Sequence, residues 1–273
     1  MAAVLSSTLS SCGFINGISR NYTQEQGPRF AVLNHPAPKT LNNGTIKIVS
    51  YNIKFSKKVN EAIETLSRYP ELADADIICL QEMSLEAVHN IAQTLSYNYV
   101  YYPAVAHPIT NDVFGNAVLS KWPVLDDRKV ILPSQRKKQL QRIAVGANIK
   151  IGNREIMVYS VHFDIFITPF GRRTNVNRLI LSMPPMIRHT IVAGDFNSFT
   201  SISKNAIVNQ MTSSGFNYIT HGVGWTHKQW YTLNKKSSVD HIFAKGFEKI
   251  QAGKIEDRAG SDHLPIWAVL KIE

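Results

Sequence analysis

The stretch VAGDFNS, residues 192–198, decides how this chain is read. A short apolar run stops at Gly194. A carboxylate and an amide then follow with one residue between them, Asp195 and Asn197. On an extended chain that spacing points both side chains the same way. A tight turn uses Gly, Asp and Asn too, so the stretch alone leaves a turn and a reactive rim both open. The other strand ends decide between them.

Working outward, β-branched and aromatic runs predict strands over 45–53, 75–81, 97–102, 114–120, 142–151, 155–163, 190–195, 239–244 and 265–272. Helical spacing predicts helices over 59–68, 85–95 and 175–183, with a weaker one over 203–214. Ser84 stands ready as an N-cap for the second, and Pro184-Pro185 ends the third. Successive strands joined by short turns, as in IKIGNREIMV, imply antiparallel hairpins. The order is that of a mixed α/β (α+β) protein in which two packed sheets with helices outside bury the apolar strands. Residues 1–43 are rich in Asn, Gly, Ser, Thr, Gln and Pro beyond their first dozen and read as a leader and tether or irregular arm; residues 44–273 read as one folded domain.

The chain has 273 residues, 44% hydrophobic and 18% charged, an ordinary globular composition. No apolar run reaches the roughly 18 residues of a membrane span. The net charge is +10, which favours anionic partners such as nucleic acid, phosphorylated lipid headgroups or an acidic membrane. That charge is dispersed over Lys57-Lys58, Arg136-Lys137-Lys138, Arg172-Arg173 and Lys235-Lys236, so it does not select DNA by itself. Cys79 sits in an apolar run and reads as a buried small hydrophobe, leaving no disulfide framework. Cys12 ends a small-residue leader, Leu9-Ser10-Ser11-Cys12, that resembles the lipobox of bacterial lipoproteins, although the basic start of such signals is missing. Export with a lipid anchor on Cys12 is one expectation and a cytoplasmic protein the other.

Several strand ends carry the same kinds of residue. Asn52 closes IVSYN, Glu82 follows IICLQ, His162 and Asp164 end VYSVHFD, Asp240 starts DHIFA, and Asp262-His263 precede the last strand. Singly, each has a structural reading: a satisfied bend, a helix-start acid, a hydrogen-bonded histidine. Together they predict one rim of carboxylates, amides and imidazoles. There is no glycine-rich phosphate loop, no G-x-S-x-G elbow, and no zinc-type C-x-x-C or H-E-x-x-H spacing. Oxygen ligands with few cysteines suit a hard ion, Mg²⁺ or Mn²⁺, in metal-assisted hydrolysis.

SYNIK, QE, GNAVLSKWPV, VHFD, GDFNS, VDHIFA and SDHLPI occur in the order that resembles the endonuclease/exonuclease/phosphatase superfamily, the deoxyribonuclease-I-like phosphoesterases. The resemblance runs from about residue 46 to 272. It implies a four-layer α/β/β/α sandwich and a catalytic domain over 44–273. It implies metal residues Glu82, Asn52 and Asp262, with Glu82 the principal ligand. Asp195 would align or deprotonate the attacking water, Asn197 would donate to a phosphate oxygen, and His263 would contact the scissile phosphate with its ring held by Asp240. His162 resembles the second active-site histidine, and Arg142 and Asn116 resemble substrate-binding residues.

The substrate stays open: a phosphodiester of nucleic acid, or a phospholipid or inositol phosphate at a membrane surface, with a non-catalytic binding module as the remote alternative. The loop HGVGWTHKQWYTLNKKSS bears on the choice, since Trp225, Trp230 and Tyr231 beside Lys228, Lys235 and Lys236 suit stacked bases or a lipid interface. A monomer is the default expectation.

Overall fold

In the computed structural model, residues 21–36, 41, 44–107, 111–135, 140–228 and 235–273 are described. Cys12, Arg136-Lys137-Lys138, Trp230 and Tyr231 lie outside them. In chain order the strands are β1 (Phe30–Val32), β2 (Thr45–Asn52), β3 (Ile77–Met83), β4 (Asn98–Ala106), β5 (Val113–Ser120), β6 (Val124–Leu132), β7 (Arg142–Ile151) and β8 (Arg154–His162). They continue with β9 (His189–Asp195), β10 (Asn217–Tyr218), β11 (His227–Lys228), β12 (Lys236–Ser237), β13 (Asp240–Lys245), β14 (Phe247–Lys254) and β15 (Ile266–Ile272). The helices are α1 (Val59–Arg68), α2 (Leu85–Leu95), α3 (Pro169–Leu181) and α4 (Ser201–Ser213).

Two mixed sheets result, ordered β1-β4-β5-β3-β2-β15-β14 and β10-β13-β9-β8-β7-β6. Strand alternation assigns each side chain to a layer. Ile46 and Ile48 of β2 meet Ile156 and Val158 of β8 between the sheets. On the other face of β2, Val49 and Tyr51 pack with Ala62, Leu66, Val88 and Ile91 of α1 and α2. On the other face of β8, Met157, Tyr159 and Val161 pack with Val176, Leu179, Ile207 and Met211 of α3 and α4. Three apolar interfaces therefore separate four layers, α/β/β/α.

Ser84 caps α2 as its position predicts, accepting from Ala87 N at 3.2 Å. α3 begins six residues earlier than the apolar spacing predicts. Thr168 caps it, accepting from Gly171 N, and Pro169 fits a first turn that needs no N–H. Within the stretch read as a tether, residues 21–36 are docked. Tyr22 N donates to Ala104 O, Lys129 Nζ donates to Tyr22 O at 2.6 Å, Arg29 grips Asp127 with two bonds, and β1 pairs with β4. Cys79 is buried and free. Among the described residues no helix is long and apolar enough to cross a membrane.

Gly194 lets β9 lie against β8: a Cβ there would stand 2.0 Å from the Val161 carbonyl oxygen, at a φ of +151°. Gly194→Ala is accordingly expected to cost about 3 kcal/mol and to lower the unfolding temperature by about 6–12 °C, measured by circular dichroism.

Candidate active site

The inter-sheet core changes character toward one end. First comes a polar layer. Gln81 Nε2 donates to Ser160 Oγ at 3.0 Å and to Ser50 Oγ at 3.4 Å, and Ser160 Oγ donates to Leu80 O. Asn116 belongs to this layer: its amide donates to Ile143 O at 3.0 Å and Ser160 O at 3.2 Å. The expected substrate donor thus has its NH₂ committed to backbone, although its residue still lines the cleft. QE contains Gln81 but gives it no role, and nothing local marks Ser160, because their role exists only once the sheets stack.

Above this floor, strand register assembles the reactive groups. Parallel β8 and β9 put His162 opposite Asp195, and antiparallel β9 and β13 put Asp240 opposite Asp195. Facing them, β2 brings Asn52. β3 brings Glu82 by a device the sequence does not show. Strict alternation would turn Glu82 toward the helices, since Gln81 already faces inward. The β3–β5 register slips between Leu80 and Met83, and Glu82 takes a left-handed φ of +57°. This bulge lets two consecutive residues serve the inner side.

Asp195 is at the centre and buried. Its Oδ2 accepts from Asn52 Nδ2 at 3.1 Å and lies 3.6 Å from His162 Nε2 and 3.8 Å from His263 Nε2. Its Oδ1 accepts the backbone N–H of Asn197 at 2.8 Å. Asn197, at φ +50°, donates to Phe163 O. Beneath this turn, buried Arg172 donates to Phe196 O at 2.6 Å, so half of a basic pair that read as surface charge is structural. Asp164 is local as well, accepting the Phe166 N–H at 2.6 Å.

Asn52 also donates to Glu82 Oε1 at 3.3 Å, while its own oxygen accepts Lys54 N. That second bond fixes the amide orientation. Asn52 therefore ties Glu82 to Asp195, beside the carboxylate expected to be the principal metal ligand. His263 Nδ1 sits 2.9 Å from Asp240 Oδ2, as the pairing of these two residues predicts. Asp262 lies apart from Glu82's bonding partners, held by Lys54 Nζ at 2.6 Å and 3.7 Å from His227 Nε2. Lys54 and His227 are absent from the sequence-derived site. His227 arrives on the two-residue strand β11, bridged to His263 with ring centroids 4.4 Å apart. Of the loop aromatics, Trp225 is flanked by the ammonium groups of Lys236 and Lys254, 4.5 and 4.4 Å from its ring centre.

The electrostatics separate the roles. Burial pushes the Asp195 carboxyl up, and Asp240 and Glu82 push the same way against His263 and the Asn197 N–H. Burial works against the His263 imidazolium, but the carboxylates of Asp240, Asp195 and Asp262 outweigh it and hold it well above its ordinary value. Burial, Arg142 and His263 together drive His162 far below its ordinary value, so its ring is neutral. Burial would raise the Asp262 carboxyl, but His227, His263 and Lys54 hold it below the usual carboxylate range.

A sequence profile of the Endonuclease/Exonuclease/phosphatase family matches residues 49–263. The chain belongs to this family. Endonuclease/exonuclease/phosphatase proteins are in general phosphoesterase hydrolases and typically depend on a divalent metal. Two solved family proteins share the fold. That of Leptotrichia buccalis C-1013-b is 18% identical, with 84% of this chain and 99% of that one covered and a TM-score of 0.67. That of Bacteroides vulgatus is 17% identical, with 84% and 99% covered and a TM-score of 0.69. D. rerio TDP2 complexed with single strand DNA product is 16% identical, with 83% and 98% covered and a TM-score of 0.64. No curated protein matches the chain.

The donor set could hold a divalent metal. Glu82 is partly exposed, and its Oε2 bonds none of the described residues. Two further clusters place ligand atoms within 4.8 Å of one another: Asp195, Asp240 and His263, and His227, Asp262 and His263.

Proposed function

We propose that the protein hydrolyses phosphodiesters, in the manner of a nuclease, with Mg²⁺ or Mn²⁺ held by Glu82 and assisted by Asp262. The observation that carries this reading is the placement of buried Asp195 between two histidines, with His162 Nε2 3.6 Å and His263 Nε2 3.8 Å from its Oδ2. A buried carboxylate with a raised proton affinity is a better base for water than an ordinary one. Water oxygen attacks phosphorus as Asp195 takes its proton, and the ester P–O bond breaks opposite. His263, kept protonated by Asp240, donates to the phosphoryl oxygen on which charge accumulates. Asn197 holds the turn that aims Asp195 and offers its second amide hydrogen to the phosphate. Arg142 at the cleft wall supplies a further cation for the anionic ester. A bound divalent ion adds charge neutralisation at the phosphoryl and leaving oxygens.

Nucleic acid is the preferred ester because the chain is basic and a structural neighbour is complexed with single strand DNA product. One observation favours a lipid or inositol phosphate at a membrane instead. Phe166 and Phe170, on the segment leaving His162, are 63% and 67% exposed, and Arg173 lies 5.9 Å from the Phe170 ring centre.

A substrate panel separates the readings: single-stranded and plasmid DNA, RNA, sphingomyelin, phosphoinositides and bis(p-nitrophenyl) phosphate, each with Mg²⁺, Mn²⁺ or chelator. Turnover of nucleic acid that chelator abolishes is expected. Faster turnover of a lipid substitutes the second reading, and no metal-dependent turnover of any ester leaves a binding module.

A further inference from the structure

Beside the catalytic centre is a cleft of about 80 Å³ that the hydrolytic roles above do not explain. Glu82, His162, Arg142 and Asn116 form its catalytic side. Phe55, Phe114 and His107 form an aromatic corner on the other. The Phe55 and Phe114 ring centroids are 4.8 Å apart, and the His107 ring meets them edge-on at 6.0 and 6.5 Å. We propose that this cleft is a subsite for the planar ring of a nucleobase, borne by the nucleotide next to the scissile phosphate, with Phe55 and Phe114 as its stacking wall. The proposal rests on the phosphodiesterase reading and names its substrate class.

Three observations support it. First, Phe55 is held where it is at a conformational cost. Lys54, Phe55 and Ser56 all have left-handed φ, at 31°, 57° and 54°, with no glycine among them. Such strain persists only where surrounding bonds over-determine it. Here Lys54 is pinned by Asp262. Ser56 Oγ accepts Ser84 N at 3.0 Å and donates to Glu82 O at 3.5 Å. The arch that presents the ring is thus fastened on both sides to the site's acidic residues, so ring and reacting centre keep a fixed spacing.

Second, the Phe55 and His107 rings are only partly buried while Phe114 behind them is buried. Phe55 lines the cleft with Lys57 Nζ 5.6 Å from its ring centre, a partly exposed aromatic beside a cation, and such a pair suits a base irrespective of sequence. Third, Arg142, which also lines the cleft, has a buried Nε with no hydrogen-bond partner among the described residues. Buried donors of this kind are ordinarily satisfied, and a ligand phosphate oxygen would satisfy this one. A lipid phosphate would satisfy that donor equally, so the aromatic wall is what points to a base.

Binding measured on the full chain tests the subsite without requiring turnover. With Mg²⁺ present, calorimetric titration with AMP is expected to give a Kd about 10-fold or more below that of ribose 5-phosphate, the factor of one stacking contact. Phe55→Leu, at a half-exposed position, is expected to bring the ratio toward one, and Phe114→Leu to do the same if its circular dichroism is unchanged. Equal affinities in the parent protein overturn the proposal. So does a ratio that folded Phe55→Leu leaves intact, or tighter binding of dodecyl phosphate than of AMP. Selective AMP binding without turnover of any phosphodiester overturns the hydrolase reading and leaves the subsite standing. Metal-dependent turnover without base selectivity does the reverse.

Discussion

Asp195→Asn is expected to lower kcat on any phosphodiester the protein cleaves by about 10²–10⁴-fold, while the unfolding temperature stays within a few degrees of the parent protein. The isosteric amide keeps the shape of the central side chain and can still accept the Asn197 N–H through Oδ1. It loses the acceptor that Asn52 uses, since two amide groups then face each other, but it also removes a charge whose burial is unfavourable. Those two changes oppose, which is why stability moves little. Activity has no such compensation, because an amide cannot take a proton from water. Steady-state kinetics with Mg²⁺ and thermal melts on the same preparations check both halves. Near-parental kcat would remove Asp195 from the reaction, and a collapsed melt would show that its role is structural.

Much of the architecture was legible because the interior strands are apolar on both faces. β2, β3, β5, β8, β9 and β15 are covered by a sheet on one side and helices on the other, so they stand out as β-branched runs. Four of the six strands that the sequence hides share one property: β1, β6, β10 and β14 are the edges of the two large sheets, while β11 and β12 are only two residues each. β6 reads VLDDRKVIL and β14 reads FEKIQAGK, both charged and largely exposed toward one end. An edge strand carries charge to resist pairing with other chains. That same charge erases the hydrophobic pattern from which strands are read.

The site divides along a similar line. Asp195, Asp240, His162 and Asn52 were legible because each ends a recognisable strand, and register then brings strand ends together. Glu82 was named correctly as a rim residue, yet only the bulge in β3 explains how it faces inward. His227 and Ser160 left no signal, and Lys54 and Gln81 stood in SYNIK and QE without a role, since these residues acquire their roles from others remote in sequence: His263, Leu80, Asp262 and Ser50. Asn116 and Asn52 show the limit in the other direction. An amide in a family motif reads equally well as a ligand contact or as internal scaffolding, and only its hydrogen bonds tell which. Here both amide nitrogens are spent inside the protein.

His263→Ala is expected to cost about 10²–10³-fold in kcat, the loss of one preorganised donor to the developing charge, and Asp240→Asn shows why that donor works. Burial alone would leave His263 neutral, and Asp240 is the first of three carboxylates that keep it charged. A group required in its protonated form supplies activity below its pKa and loses it as pH rises through that value. With His263 raised, the alkaline limb of the pH–rate profile lies above the neutral range. Asp240→Asn removes the nearest carboxylate, at 2.9 Å, and is expected to bring that limb down by about 1–3 pH units, with activity on the acid side far less affected. The acid limb is displaced upward as well: Asp195 must be deprotonated, and burial raises the pH at which this happens. A purely structural role for Asp240 would lower kcat equally at every pH. An alkaline limb that Asp240→Asn leaves in place would show that His263 does not act as a cation.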